Sequence, residues 1–522
     1  MRPLPTRLLR RILVGCLVVL SVVLGHKLLT RRSPPPKPPP VRVLPTPTPD
    51  VPLDFDAVSV AARRHAQSTL EMLLSAQSTT LDDAAARYML KTRRSPPPNY
   101  DKWFTFARKN RCLIDEYDRI FRDFQPFHQL VGFHFRETVE RGKAMFLNQV
   151  RELKPKRQEA YGLAALGFKD GQLRLPPYRA TTYAKDIPQH LFKIAHLMPD
   201  MEFLLNGRDE PRVVFDTQRP TAAELASQQN DHTPFHITPY PTGPFFRNQS
   251  GCGLVLDGAV GDQSHLVSFF SSSASSDFTT DLWPLLSMTK ISPCFADILF
   301  PAQADLQYYY RLSRWSPKLG ANEVPWASKK DVLYWRGGST GGRIISTRTS
   351  SNHHLFPRFR LLNLARNHTD LIDARMTTFA HEYCKTEDGC MFTPIIREYS
   401  IFGPKAPRRE VFNYKYALDI DGNTFSGRFL SLLRSGSLVF KATVYEEFFN
   451  DWIRPYEHFI PVKYDLSDLV EKVEWAIQND DQARRIQEAG KLFATNITTD
   501  AQNDCYMALV LLEYARLYNT VP

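Results

Sequence analysis

No acidic residue occurs before Asp50, although nine basic ones do: Arg2, Arg7, Arg10, Arg11, Lys27, Arg31, Arg32, Lys37 and Arg42. Removing those nine from the formal net charge of +11 leaves +2 for everything from Val43 onward. A nucleic-acid binder carries its basic excess on its folded domains, so this distribution argues against nucleic acid as a partner. Long apolar runs are scarce too. The run from Ile12 to Gly25, extended to Leu29 with the Lys27 stem reaching the headgroups, reads as an uncleaved signal anchor. A signal peptide cleaved near Val23 and Gly25 is the alternative. Either sends the rest of the chain into the secretory lumen, and the anchor reading places it on a Golgi or ER membrane as a single-pass type II protein.

No internal period indicates a repeat protein, and no Gly-Lys-Ser/Thr follows the glycines of "RGGSTGGR", so that stretch is not a Walker loop. Cysteine is sparse at seven. With Cys16 in the apolar run, Cys112, Cys252, Cys294, Cys384, Cys390 and Cys505 remain, enough for three disulfides in an oxidising compartment. Cys384 and Cys390 are the closest local pair, and the spacing in "HEYCKTEDGC" fits neither a zinc ribbon nor a zinc finger. Asn248, Asn367 and Asn496 each open an N-glycan acceptor pattern, in keeping with a lumenal protein.

What is present suffices for large cores: 522 residues with 43% hydrophobic and 12% aromatic content. Ten prolines between positions 34 and 52 favour an extended stalk. The Ala-rich stretch from Val58 to about Leu90 reads as a stem or packing helix. Beyond Trp103, helical stretches alternate with the short apolar runs "MEFLLN", "RVVFD", "GLVLDG", "DVLYW", "YALDID" and "GSLVF", the pattern of α/β sheets with parallel strands. The expected organisation is a tail (1–11), an anchor (12–29), a stalk (30–54), a helical region (55–115), an N-terminal Rossmann-like domain (116–325) and a C-terminal one (326–522).

Two strand-turn-helix units place glycine, hydroxyls and arginine where open α/β sheets bind phosphates. In the first, "DVLYW" runs into Arg336, Gly337, Ser339, Thr340 and Arg343; in the second, "YALDID" runs through Asp421 and Gly422 to Ser426 and Arg428, both expected in the first helical turn. An arginine at a helix start opposes the dipole unless an anion shares the site. The same glycine stretch also matches G-x-S-x-G, with Ser339, Asp421 and His458 in the chain order of a serine hydrolase triad. The segment after it forms helix poorly, which disfavours that alternative. Asp419 and Asp421 fall on one side of their strand by alternation, so a metal shared between them also stays open. Asp209, after the strand "MEFLLN", stands where a carboxylate can take a proton from an alcohol.

In order, "LMPDMEFLLNGRDEP", "FADILFP", "YWRGGSTGG", "NYKYALDIDGNTFSGRFLSLLRSGSLVF" and "EEFFNDWIRPYEHFIPV" resemble the CAP10-like glycosyltransferases, glycosyltransferase family 90, over roughly residues 195 to 515. The resemblance implies a GT-B enzyme with two Rossmann-like domains. It would invert the anomeric carbon as it moves xylose or glucose from a UDP donor to a glycan or glycoprotein hydroxyl. The resemblance also implies no obligatory cofactor, with a divalent metal not excluded. Asp209 would be the base; Arg336, Ser339, Ser426 and Arg428 would hold the diphosphate, with Glu447 near the nucleotide or sugar. A catalytically silent nucleotide-sugar-binding module is a further alternative.

Overall fold

A computed structural model describes residues 70–129, 135–152, 163–175, 187–215, 272, 274, 278–279, 282–301, 324–347, 350–402 and 406–520. The anchor, the stalk, Cys252, Asn248 and the strand expected at "GLVLDG" lie outside these residues. Among the described helices none is long and apolar enough to cross a membrane.

The first half is built by distant parts of the chain. Its helices are α1 (Leu81–Thr92), α2 (Tyr100–Lys109), α3 (Asp118–Gln129), α4 (Phe135–Glu152) and α5 (Ile187–Ile194). Its strands are β1 (Leu163–Lys169), β2 (Gln172–Arg174), β3 (Met201–Asn206), β4 (Leu285–Ser287) and β5 (Ile298–Leu299), ordered β2-β1-β3-β4-β5. The sheet is mixed: β1 runs antiparallel to β2 and β3, while β3, β4 and β5 are parallel. The stretch "RVVFD" makes isolated bridges at Val213 and Val214 rather than a strand. Its amides turn elsewhere: those of Arg212 and Val213 bond the buried Asp297 carboxylate, which also accepts from Ser287.

The second half contains β6 (Lys330–Gly338), α6 (Pro357–Asn367), β7 (Ile372–Thr378), α7 (Phe392–Glu398), β8 (Tyr414–Ile420), α8 (Phe429–Arg434), β9 (Leu438–Ala442), β10 (Ile460–Pro461), α9 (Leu469–Gln478) and α10 (Asp480–Asn496). Its strands are all parallel in the order β10-β9-β8-β6-β7. Strand order reverses between β6 and β8. At such a switch point the loops leaving the two strands diverge to opposite faces and open a crevice at their carboxyl ends. Both phosphate-loop candidates are those loops.

The final helix, α11 (Asp500–Asn519), departs from the expected division at residue 326. It is buried from Gln502 through Ala515 on every side, as a helix inside a core must be. Most of its partners lie in the first half, although Tyr506 also packs on Phe448 and Trp452. Tyr514 donates to the Pro284 carbonyl and accepts from the Leu204 amide on β3; Asp504 takes His190 Nδ1 at 2.6 Å. The region read as a stem packs here as well. Tyr88 bonds Glu513, Trp103 donates to the Cys505 carbonyl, and Cys112 is disulfide-bonded to Cys505. The helix expected from Val58 to Leu90 breaks before α1 because Gln77 and Ser78 bond 114–115 instead: Gln77 takes the Ile114 and Asp115 amides, and Ser78 donates to Asp115. Thr80 then caps α1.

One apolar core runs from these helices to the α8 face of the second sheet; another, with Trp335, Phe356, Tyr416 and Phe440, fills the opposite face. Cys384 is bonded to Cys390, and Cys294 is in a disulfide whose partner lies outside the described residues.

Candidate active site

Asp209 is placed by a side-chain-stabilised turn at the end of β3. Asn206 Oδ1 accepts the Arg208 amide at 3.0 Å, and Asn206 Nδ2 donates to the Glu210 carbonyl at 2.6 Å. This loop of the first half meets the β8–α8 turn of the second. The Asp209 carboxyl hydrogen-bonds Thr424 and its neighbour Glu210, while Tyr383 and Tyr445 stand within electrostatic reach. Burial, followed by the adjacent Glu210 carboxylate, pushes the Asp209 carboxyl well above the usual range. A raised carboxyl at the meeting of two strand ends is suited to accept a proton.

The two loops of the second sheet are gathered by residues that the motif reading did not single out. Asn423 Oδ1 accepts both the Gly341 and Gly342 amides at 3.0 Å. Arg358, in the first turn of α6, donates to the Gly338 carbonyl, the Thr340 hydroxyl and the Asp421 carbonyl. Gly422 is needed for this approach, since a Cβ there would lie 2.7 Å from Thr340 Oγ1 and 2.8 Å from Arg358 Nη2. Gly342, at φ +131°, lies in a backbone region that disfavours side chains. The asparagine-for-glycine-loop geometry had a faint sequence signal, "DGN" after a buried strand. Arg358 had none beyond its nearness to Pro357.

The expected residues divide into two groups. Arg428 Nη1 donates to the Arg336 carbonyl at 2.7 Å, and its Nη2 is buried without a hydrogen-bond partner among the described residues. Arg428 lines a pocket of about 230 Å3 with Tyr334, Trp335, Arg336, Gly337 and Leu418. It is the N-cap of α8, not part of its first turn, so Ser426, 3.5 Å from Arg428 Nε, precedes the helix. Arg336 itself turns to the neighbouring strand. Its guanidinium bonds Asp373 at 2.8 Å and lies over the Tyr334 ring. Burial alone would raise the Asp373 carboxyl, but hydrogen bonds from Arg336 and Tyr414 hold it below the usual range. Arg343 lies 3.6 Å from Asp388.

The Asp419–Asp421 pair meets an internal cation. Lys441, opposite Asp419 across β8 and β9, places its Nζ 3.0 Å from Asp419 and 3.6 Å from Glu447. Glu447 is thus packed at Lys441 in the buried layer rather than facing an open pocket. Lys441 Nζ also sits 4.0 Å from the Phe429 ring centroid. Asp421 accepts the Val444 amide; burial, offset in part by Lys441, raises its carboxyl to about 7. Among the described residues no group of three or more His, Cys, Asp and Glu is arranged to hold a metal ion.

Ser339 does not form the hydrolase arrangement. Ser339 is 2% exposed and its hydroxyl accepts the Ala380 amide, while His458 Nδ1 accepts the Arg454 amide and its ring packs on Phe493. Of the glycan acceptors, Asn367 is exposed at the end of α6. Asn496 is exposed at the end of α10, but the Thr498 hydroxyl of its pattern is buried and bonded to Ala494 and Arg434.

Residues 272–522 match the family described as glycosyl transferase family 90, a segment that holds β4 and β5 of the first sheet, the whole second sheet with its two loops, and α11. Asp209 lies before the matched segment. Protein O-glucosyltransferase 2 of Danio rerio is 33% identical over 199 residues, 38% of this chain and 35% of that protein. Protein O-glucosyltransferase 3 of Homo sapiens is 31% identical over 166 residues, 32% of this chain and 31% of that protein. Protein O-glucosyltransferase 1 of Homo sapiens is 29% identical over 247 residues, 45% of this chain and 57% of that protein. The chain therefore spans about a third of the length of the first two and over half of the third.

Proposed function

We propose that this protein is an inverting, GT-B-type glycosyltransferase that moves glucose or xylose from a UDP donor to a hydroxyl of a glycan or glycoprotein. The observation that carries the reading is the meeting of Asp209, at the end of β3, with the β8–α8 turn at the switch point of the other sheet. A base from one half then faces a donor held by the other. The acceptor hydroxyl gives its proton to Asp209 as its oxygen attacks the anomeric carbon, and the sugar–phosphate bond breaks on the opposite side. Negative charge building on the departing diphosphate falls to Arg428, whose Nη2, unpaired among the described residues, can donate to it.

No divalent ion is assigned a step. The donor set supports this, because Asp419 of the acidic pair is already paired with Lys441. The names of the relatives favour glucose and a protein acceptor, and the disulfides suit a secretory compartment. Retention on a Golgi or ER membrane through Ile12–Leu29 belongs to the same proposal.

Calorimetric titration with UDP, followed by UDP release from UDP-glucose and UDP-xylose with protein or glycan acceptors, tests the reading. Binding of UDP and turnover of one donor are expected. A protein that binds no UDP would not be this enzyme.

A further inference from the structure

We infer that the Asn423–Thr424 turn couples the donor loops to the base, with Thr424 a positioning residue that orients the Asp209 carboxyl. The inference rests on the transferase reading above and assigns to this turn a role beyond binding phosphate.

Asn423 is a junction. Its Oδ1 is taken up by the Gly341 and Gly342 amides, its carbonyl accepts the Tyr445 hydroxyl at 3.1 Å, and its side chain also hydrogen-bonds Tyr383. With Oδ1 engaged twice, the bond to Tyr383 comes from the Asn423 amide, so the phenol accepts and keeps its own proton available. Tyr383 is held in turn by the Ile344 amide, which donates to its carbonyl, and is followed directly by the Cys384–Cys390 disulfide. One residue therefore ties the glycine loop after β6 to both tyrosines beside Asp209.

Thr424 is the next residue. The Gly422 amide donates to its carbonyl at 2.8 Å and closes the turn; its side chain, 2% exposed, reaches the Asp209 carboxyl. A shift of the glycine loop moves Asn423, and Thr424 moves with it. A threonine hydroxyl donating to a carboxylate oxygen fixes the plane in which the carboxylate receives the acceptor proton. The groups facing Asp209 are Glu210 from its own loop, Tyr383 from the segment after β7 and Tyr445 from the loop after β9. Arg212, 3.9 Å from Glu210, is the cation beyond them. None of these is removed by substitution at position 424.

The experiment compares Thr424→Val, Thr424→Ser and Asn423→Ala for UDP affinity by calorimetry and for the pH profile of kcat/KM. Loss of the hydroxyl disfavours the carboxylate, so the acid limb of Thr424→Val should move to higher pH. Turnover below that limb should fall roughly tenfold for each unit of displacement, with UDP affinity unchanged. Thr424→Ser should restore the profile. Asn423→Ala should both weaken UDP binding and slow turnover. A Thr424→Val enzyme with the wild-type pH profile would overturn the inference, as would one whose loss is wholly in UDP affinity. Wild-type protein that binds no UDP would overturn the donor reading and the coupling together; wild-type binding with an unmoved Thr424→Val limb sinks the coupling alone.

Discussion

The two sheets end their central strands in opposite ways. β3 ends in a turn held by Asn206, and the carboxyl it presents is positioned by residues from a different half. β8 ends in a turn gripped by its own neighbours, Asn423, Arg358 and Gly422, and of the carboxyls leading into it Asp419 pairs with Lys441 one strand away while Asp421 takes the Val444 amide. The contrast suggests a division of labour: a self-contained platform for one substrate and a dependent arm that delivers the base.

Asp209→Asn tests that division most severely. Transfer should drop by roughly 10²- to 10⁴-fold, the usual contribution of a general base, with UDP affinity retained. Near-normal turnover would move the base into the second half and dissolve the comparison. Next in size is the tie between chain ends in the first half. Replacing Cys112 and Cys505 with serine should cost about 2–5 kcal/mol of stability, because the bridge closes a very long loop in the unfolded chain. Denaturant unfolding would read it, and an unchanged midpoint would show that α11 docks without the bridge.

The platform has its own pH signature. Asp421 titrates near 3.8 when free and at about 7 in the fold, so the folded state binds its proton more tightly. Its contribution is complete below the lower value and is lost as pH rises through about 7. Asp421→Asn should flatten that decline, a change on the order of 3 kcal/mol between about pH 4 and 7, measurable from melting temperatures; an unaltered slope would assign the decline to other groups. Smallest is Arg428→Ala. Removing one charged donor should weaken UDP binding by about 1.5–3 kcal/mol, and unchanged affinity would take Arg428 out of the phosphate site.

Much of the platform was legible in the sequence. The runs "DVLYW", "YALDID" and "GSLVF" each became a strand of the parallel sheet, and the turns after the first two came together at the switch point. Apolar runs and glycine turns are written in contiguous residues, so they survive reading without a fold. The first half was less legible. "RVVFD" looked like a strand because its apolar content fits one, yet Asp297, distant in sequence, takes the amides of Arg212 and Val213. The Val58–Leu90 pattern passed for a stem because the partners of Tyr88 and Trp103 lie at Glu513 and Cys505.

The acidic pair marks the boundary between the two kinds of information. Alternation along β8 by itself determined that Asp419 and Asp421 share one side, since side-chain direction in a strand has a period of two. What stands opposite them was decided by tertiary structure. Lys441 faces Asp419 only because β9 pairs with β8 in one register, and burial in that layer sets the proton affinity of Asp421. Likewise, the sequence placed Asp209 at a strand end, while its meeting with Thr424 required two halves to fold against each other. Local periodicity is a property of neighbouring residues; electrostatic environment depends on which distant groups exclude water together.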